Sequence, residues 1–496
     1  MTQEVPKPSG REQLFALPRP EPLKLGYETY LSPYSYRYGS EEMKRNWSQE
    51  QFWLNVRDVW IATAEVQQEV GLVTQEHVDD LKAHRDEISV ERIWQFERDR
   101  NVGTRHDINA AIAEFSEVAP FGGQILHIGE TSEDPLGSAE IKQIHEAFNI
   151  LEPKINRTLE GFGERIENHK DLACMGFTHL QPAEPTTYGY RFAKYAQDLL
   201  IDKKFMDYIR TTIAAKGIKG PVGTSAALED LLEGTGMTPE EHERRIMEKL
   251  DLPYVTVSDQ TYPRKMLFLT EVALASIAQT LHRYTLDLQI LSSGFVLEVS
   301  EFYRPGQVGS SAMPHKKNPI NSENVCSITE TLPGHLLSSW QTGAFVTLER
   351  TLRDSAGKRS WLPESFLAID EAITRADSVT RGLIVRDRVI AANLRKYGAF
   401  AATEILLDKL IESGMDRNEA HEILVRLSEQ ALEAVGAGEL NPICELVTND
   451  DNIVNTIGRD AAENAFDEIL HHVGNAPRLC DQFLQNELYP AIGKTQ

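Results

Sequence analysis

Cysteine is scarce in this chain: Cys174, Cys326, Cys444 and Cys480 are the only four among 496 residues, and none stand in C-x-x-C spacing. That argues against a disulfide framework and predicts reduced, buried thiols in a reducing compartment. Long hydrophobic runs are missing too. No stretch reaches the roughly 18 consecutive apolar residues of a membrane span. The opening MTQEVPKPSGREQLF has no apolar leader core, so a cytoplasmic protein is expected. Positive charge is in short supply, with 51 Lys and Arg against 75 Asp and Glu and a net charge of −24. Such a chain repels nucleic acid and anionic membranes unless its basic residues are gathered in one place. A small polyanion would need that local focus. Period-two alternation is hard to find anywhere, which argues against a sheet-based fold.

Helical periodicity is what the sequence has instead. Apolar residues recur at Ile141, Ile144, Phe148, Leu151, Ile155, Leu159, Phe162 and Ile166, a three-four spacing held for about seven turns. Leu274, Ile277, Leu281, Tyr284, Leu288, Leu291 and Phe295 repeat it within a helical segment predicted over about 264–302. Helices this long imply an all-α bundle with the stripes as shared seams. The expected organisation is an N-terminal helical domain over 1–130, a long central bundle over 131–385 and a C-terminal helical domain over 386–496. The first 25 residues, with five prolines, read as a loosely ordered lead-in.

Irregular segments rich in Gly, Pro, Ser and Thr punctuate the helices at 127–138, 176–189, 217–226 and 305–322. Catalytic groups tend to sit on such loops. In the last of them, GSSAMPHKKNP at 309–319, the glycines and prolines forbid a regular helix, and Ser310 and Ser311 lie close in sequence to His315, Lys316 and Lys317. This is the basic focus that the composition calls for. Gly217, Gly220 and Gly223 fit neither a dinucleotide-binding turn nor a Walker loop and read as turn residues. His471-His472 lacks metal-like partner spacing.

The whole string at 309–319 resembles the signature of the fumarase/aspartase superfamily. Thr131-Ser132-Glu133-Asp134 resembles its TSxD segment, and Thr178, His179, Pro185, Thr186 and Thr187 its TH and PTT segments. Arg37-Tyr38, TRHD at 104–107, QTYPRK at 260–265 and ERTLRDSAGKR at 349–359 are similar to the adenylosuccinate lyases within that superfamily. The resemblance implies an all-α, three-domain fold with a long central bundle. It also implies β-elimination of fumarate from adenylosuccinate, giving AMP, and from SAICAR, giving AICAR, in purine nucleotide biosynthesis.

By the same resemblance, Ser310 is the base and His179 the acid, with Lys316, Asn318 and His106 as further catalytic groups. Arg37, Tyr38, Arg105, His106, Asp107, His127, Thr131, Ser132, Gln260, Arg350, Ser355 and Arg359 would bind the nucleotide. The chemistry suits these residue types. Removing a proton beside a carboxylate needs clustered positive charge and hydrogen-bond donors. A histidine titrating near neutrality suits protonation of the leaving nitrogen, and arginine meets oxyanions with a planar fork. Neither metal nor organic cofactor is implied, and the expected assembly is a homotetramer with sites shared between subunits.

Two positions depart from the family pattern. Pro135-Leu136-Gly137 stands where the TSxD segment usually continues to a further acid, and Asn324 where some members carry a substrate-binding arginine and others an asparagine. Argininosuccinate is the nearest rival substrate. A non-catalytic structural protein on the same scaffold would be signalled by loss of Ser310, His179 or Lys316, and all three are present.

Overall fold

The computed structural model describes residues 10–21, 26, 28–309, 311–313 and 315–494. Ser310 therefore lies outside the described residues. The helices that matter for the site are α1 (Glu41–Asn46), α2 (Gln49–Glu69), α3 (Val90–Arg98), α4 (Asp107–Val118) and α5 (Glu133–His169). Next come strands β1 (Ala173–Thr178) and β2 (Gln181–Thr187), then α6 (Tyr188–Thr212), α7 (Pro239–Leu250) and α8 (Lys265–Ser292). After β3 (Val299–Ser300) follow α9 (Ile320–Thr329), α10 (Leu332–Ala344), α11 (Ser355–Gly382), β4 (Ile384–Val385), α12 (Asp387–Gly398), α13 (Ala402–Glu412) and α14 (Arg417–Gly436). The fold is all-α, as the periodicity predicts.

The eight stripe residues of α5 are each no more than 1 % exposed, so its three-four spacing is a packing seam. Serine hydroxyls start the shorter helices: Ser48 accepts from the backbone of Gln51 and Ser89 from that of Arg92, each meeting one orphan donor of a first turn. On α8 the stripe is buried from Leu274 to Leu291, but the helix stops at Ser292 and Phe295 is 94 % exposed. The helix predicted to 302 is thus shorter, ended by Ser293-Gly294, because serine and glycine favour turns over helix interiors.

The chain divides into two compact units. One comprises 1–153, 203–278 and 328–371, the other 154–202, 279–327 and 372–496. In the first, Trp53, Trp60, Phe96 and Phe115 centre a core built from α2, α3 and α4, and Ile218 and Ile246 join Val59 and Val66 in a smaller one. Phe148 of α5 meets Phe366 of α11 edge-on, with ring centroids 5.2 Å apart. In the second, Phe162 of α5 meets Tyr284 of α8 at 4.9 Å, and the Tyr284 hydroxyl bonds that of Thr380 on α11. Leu406, Leu424 and Leu427 belong to a separate core under α13 and α14.

Three local readings change. The irregular stretch predicted over 176–189 is an antiparallel hairpin in which Thr178 pairs with Gln181 and Ala173 with Thr187. Pro182 and Pro185 mask it in the sequence, since proline is tolerated only at strand edges and irregularities; a two-stranded sheet has only edges. The predicted loop at 127–138 ends early, at the start of α5. Pro135 sits in that helix's first turn, where its missing N–H has no intrahelical acceptor to lose. Cys174, Cys326 and Cys480 are buried free thiols as expected, but Cys444 is exposed.

Candidate active site

Within the first unit a cavity of about 410 Å³ is lined by residues from six separate stretches. It collects His106, Asp107, Ser132, Gln260, Arg350, Ser355 and Arg359, all singled out in the sequence. Helix geometry explains the grouping. Glu133, Leu136, Glu140 and Gln143 form one stripe of α5, and Ser355, Lys358, Arg359, Leu362 and Pro363 one stripe of α11. Gln49, Phe52 and Trp53 add a face of α2, while Trp94, Glu97 and Arg98 come from α3.

The loop carrying Ser132 is pinned from beneath by Asp134. Its carboxylate accepts from the backbone of Thr131 at 2.7 Å and of Lys219 and Gly220 at 3.1 and 3.2 Å. The Lys216 ammonium lies 2.6 Å away, and both charged side chains are fully buried. Gly217 and Gly220 adopt φ of 86° and 74°, the left-handed region that lets this turn wrap the carboxylate.

An ion-pair network, invisible to motif reading, forms one side of the cavity. Arg350 bonds Glu133 at 2.8 Å and Asp354 at 3.1 Å. Arg264, almost fully buried, reaches Asp354 at 2.7 Å and Glu133 at 3.3 Å. Lys358 bonds Glu140 at 2.8 Å, and the Tyr262 hydroxyl donates to the same carboxylate. Burial alone would raise the Glu140 carboxyl, but Lys358 and Arg264 outweigh it and hold it below the usual range. Asp354 is held low in the same way by Arg264, Lys358 and Arg350. Burial and the Glu140 charge push Tyr262 well above its ordinary value. Most of these residues fall inside the strings at 131–134, 260–265 and 349–359, with Glu140 outside them on α5; the i,i+4 spacing of Arg350, Asp354 and Lys358 is the sequence signal for that part of the network.

Arg359 is 65 % exposed at its side chain and bonds Asp107 at 3.2 Å, and the His106 ring lies 3.6 Å from the same carboxylate group. Arg105 turns back onto the carbonyls of Arg98 and Arg100, and Arg37 lies 5.7 Å from the Tyr38 ring. His127 bonds Glu130 at 3.1 Å and stands edge-on to Trp60. Arg37, Tyr38, Arg105, His127 and Thr131 belong to the first unit without lining the cavity. His179, Lys316 and Asn318 belong to the second unit. His179 sits at the tip of the β1–β2 turn. Lys316 is exposed, and the Asn318 amide donates to the Gly309 carbonyl at 3.2 Å. Among the described residues, no group of three or more His, Cys, Asp or Glu is arranged to hold a metal.

A lyase family profile matches residues 40–334. The adenylosuccinate lyase of Schistosoma mansoni is 34 % identical over 474 residues, 94 % of this chain and 96 % of that protein. The chain belongs to the adenylosuccinate lyase family. The family's yeast member, the adenylosuccinate lyase of Saccharomyces cerevisiae, is 32 % identical over 473 residues, again 94 % of this chain and 96 % of the relative. An archaeal member from Pyrococcus abyssi is 32 % identical over 81 % of this chain and 87 % of its own. Among solved structures, a fumarate lyase from Mesorhizobium sp. BNC1 superposes with a TM-score of 0.78 at 20 % identity, covering 92 % of this chain and all of that one. The 3-carboxy-cis,cis-muconate lactonizing enzyme of Pseudomonas putida gives 0.79 at 19 % identity over 92 % of this chain and 99 % of its own. Those two likenesses establish the fold. Membership of this enzyme family makes the chain a lyase, and no helix among the described residues is long and apolar enough to cross a membrane.

Proposed function

We propose that the chain eliminates fumarate from adenylosuccinate and from SAICAR, releasing AMP and AICAR. The observation that carries this is one cavity gathering His106, Asp107, Ser132, Gln260, Arg350, Ser355 and Arg359 in a chain similar to adenylosuccinate lyases along almost its whole length. Ser310 removes the proton beside the carboxylate, His179 protonates the leaving nitrogen, and Lys316 and Asn318 stabilise the charge that develops between those steps.

Charge supports short-range capture of the nucleotide. The cavity wall carries four cations, Arg98, Arg350, Lys358 and Arg359, against four acids, Glu97, Asp107, Glu133 and Glu140. Its local balance is therefore neutral in a chain of net charge −24. A phosphate entering it exchanges with Asp107 on Arg359 and with Glu133 on Arg350, taking over forks that are already held in place.

The working assembly in this reading is a cytoplasmic homotetramer, each site drawing on more than one subunit. Exposed apolar side chains support association: Ile201 on α6 is 56 % exposed, and Leu286 and Ile290 on α8 are 45 % and 40 % exposed. The three-part division at 130 and 385 belongs to the same proposal. Incubating purified protein with adenylosuccinate and following fumarate and AMP is the direct test. Ser310→Ala should fold normally and lose ~10²–10⁴-fold in turnover. No fumarate from either purine substrate would end the proposal, and turnover within about threefold of wild type would remove Ser310 as the base.

A further inference from the structure

Lys316 and Asn318 stand on irregular chain between β3 and α9, where no ladder or helix of their own holds them. Buried Glu301, one residue past β3, fixes where that chain ends. Its carboxylate accepts from the Asn321 backbone and amide at 3.1 and 2.9 Å, and from the Ser322 backbone and hydroxyl at 2.7 Å each. The backbone donors belong to the first turn of α9, whose N–H groups have no intrahelical partner and favour a negative charge. The chain leaving β3 and the chain entering α9 therefore meet at a fixed point within the second unit.

Two residues after Glu301, Tyr303 makes a second connection. Its hydroxyl donates to the Asn318 carbonyl at 2.6 Å, and that oxygen also accepts from the Ile320 backbone at 2.9 Å. The Lys317 ammonium lies 5.7 Å from the centre of the Tyr303 ring, within reach of its π face. Gly309 packs on the same ring. A Cβ there would stand 3.0 Å from it and collide with the Lys316 carbonyl, so this approach requires glycine. The Asn318 amide in turn donates to the Gly309 carbonyl. Asn318 is thus held by its backbone through Tyr303 and by its side chain through Gly309. A side-chain amide has two N–H donors; Gly309 takes one, which sets the amide plane, and the other remains for a substrate oxygen.

We propose that Tyr303 is a positioning residue for the elimination. Its hydroxyl fixes the Asn318 carbonyl and, through it, the side-chain amide that meets the charge developing on the substrate. The inference rests on the reaction read above, in which Asn318 stabilises that charge. A donor serves a transition state only if it already stands where the charge will appear, since reorganising it at that moment adds to the barrier. Loss of the hydroxyl should therefore lower kcat and leave KM almost unchanged. Phenylalanine at 303 would keep the ring against Gly309 and Lys317 and remove only the connection to Asn318.

The test is steady-state release of fumarate from adenylosuccinate by the full chain, with amide hydrogen exchange over residues 315–322 as a readout that needs no substrate. Wild type is compared with Tyr303→Phe and, as a control, with Tyr208→Phe on an exposed part of α6. In Tyr303→Phe, kcat should fall about five- to tenfold, with KM within about twofold of wild type. Exchange over 315–322 should quicken by a similar factor, and the control should match wild type in every quantity. In an Asn318→Ala background, whose carbonyl still accepts from Tyr303, the same change should cost less than about twofold, because the amide it positions is gone. A kcat of Tyr303→Phe within about twofold of wild type overturns the proposal. So does an equal loss in both backgrounds, which would mean that the hydroxyl acts other than through Asn318. If wild type releases no fumarate, the reaction itself is refuted, and exchange then decides the connection alone: quickening in Tyr303→Phe upholds it, and an unchanged rate overturns it.

Discussion

His179 and Leu180 hold the two central positions of the β1–β2 turn with φ of 53° and 60°. Positive φ at both positions matches the twist of a two-residue hairpin, yet it is unfavourable for residues other than glycine, asparagine and aspartate. Arg105 and His127 are left-handed as well, at 57° and 68°. Side chains of the proposed chemistry thus recur where the backbone is strained, a pattern associated with functional positions. His179→Ala should keep the hairpin and the circular dichroism spectrum while turnover falls ~10²–10⁴-fold, as expected when a positioned acid is lost. Turnover close to wild type would place the acid elsewhere.

The two cavity arginines separate binding from stability. Arg359 is largely exposed and paired with Asp107, whereas Arg350 braces buried Glu133 and Asp354. Arg359→Ala should cost at least ~1.5 kcal/mol in kcat/KM with little change in Tm, and Arg350→Ala should lower both. Lys203 of α6 cannot serve as a solvated control, because it is buried and bonds Asp207 at 2.8 Å, with Glu152 3.5 Å away. Exposed Lys204 serves instead, and Lys204→Ala should change neither quantity in steady-state kinetics or thermal melts. Single residues of the cavity were legible because they lie in recognisable strings. The burial of Lys203 was not legible, because a lysine's burial depends on what packs over its helix, which one helix's pattern does not contain.

At the scale of elements, a polar link joins α8, α10 and α11 inside the first unit. Ser365 lies 2.9 Å from the Glu271 carboxylate and 2.8 Å from the His335 ring, and one Glu271 oxygen has no hydrogen-bond partner among the described residues. Burial pushes the Glu271 carboxyl up from 4.5 to about 8, and its Ser365 hydrogen bond offsets only part of that. The native state then keeps a proton that the unfolded chain releases. Stability from this group is complete below pH 4.5 and declines as pH rises to about 8. His242, buried with both ring nitrogens unpartnered among the described residues, has the opposite sign: burial lowers it from 6.5 to about 4, so stability is lost as pH falls through that interval. Glu271→Gln should remove much of the decline in Tm between pH 6.5 and 8.5, read from melts at a series of pH values. An unchanged decline would mean that Glu271 is not its source. The long helices carrying these groups were legible from a stripe that repeats over many turns. The hairpin was not, because two prolines and a bulge between Met175 and Phe177 break the alternation by which strands are recognised.

For the whole molecule, the proposed sharing of sites between subunits has a direct consequence. Ser310→Ala and His179→Ala proteins, each inactive alone, should recover part of the wild-type activity when dissociated gently and reassembled together. Absence of recovery despite demonstrated subunit exchange would show that one chain builds a complete site. Assembly was the least legible scale in the sequence: a stripe such as that of α8 shows that apolar surface is covered, but whether its own chain or another covers it depends on packing around the helix.

Neither compact unit is a continuous stretch of chain, and α5, α6, α8 and α11 each begin in one unit and end in the other. A chain leaves the ribosome from its N-terminus, so the first unit lacks its last segment until residue 371 has emerged. By then the apolar seams of α5 and α8 have already been synthesised without all of their partners. Nascent chains of this kind depend on protection from aggregation during translation, and no single cut in the gene would yield either unit whole.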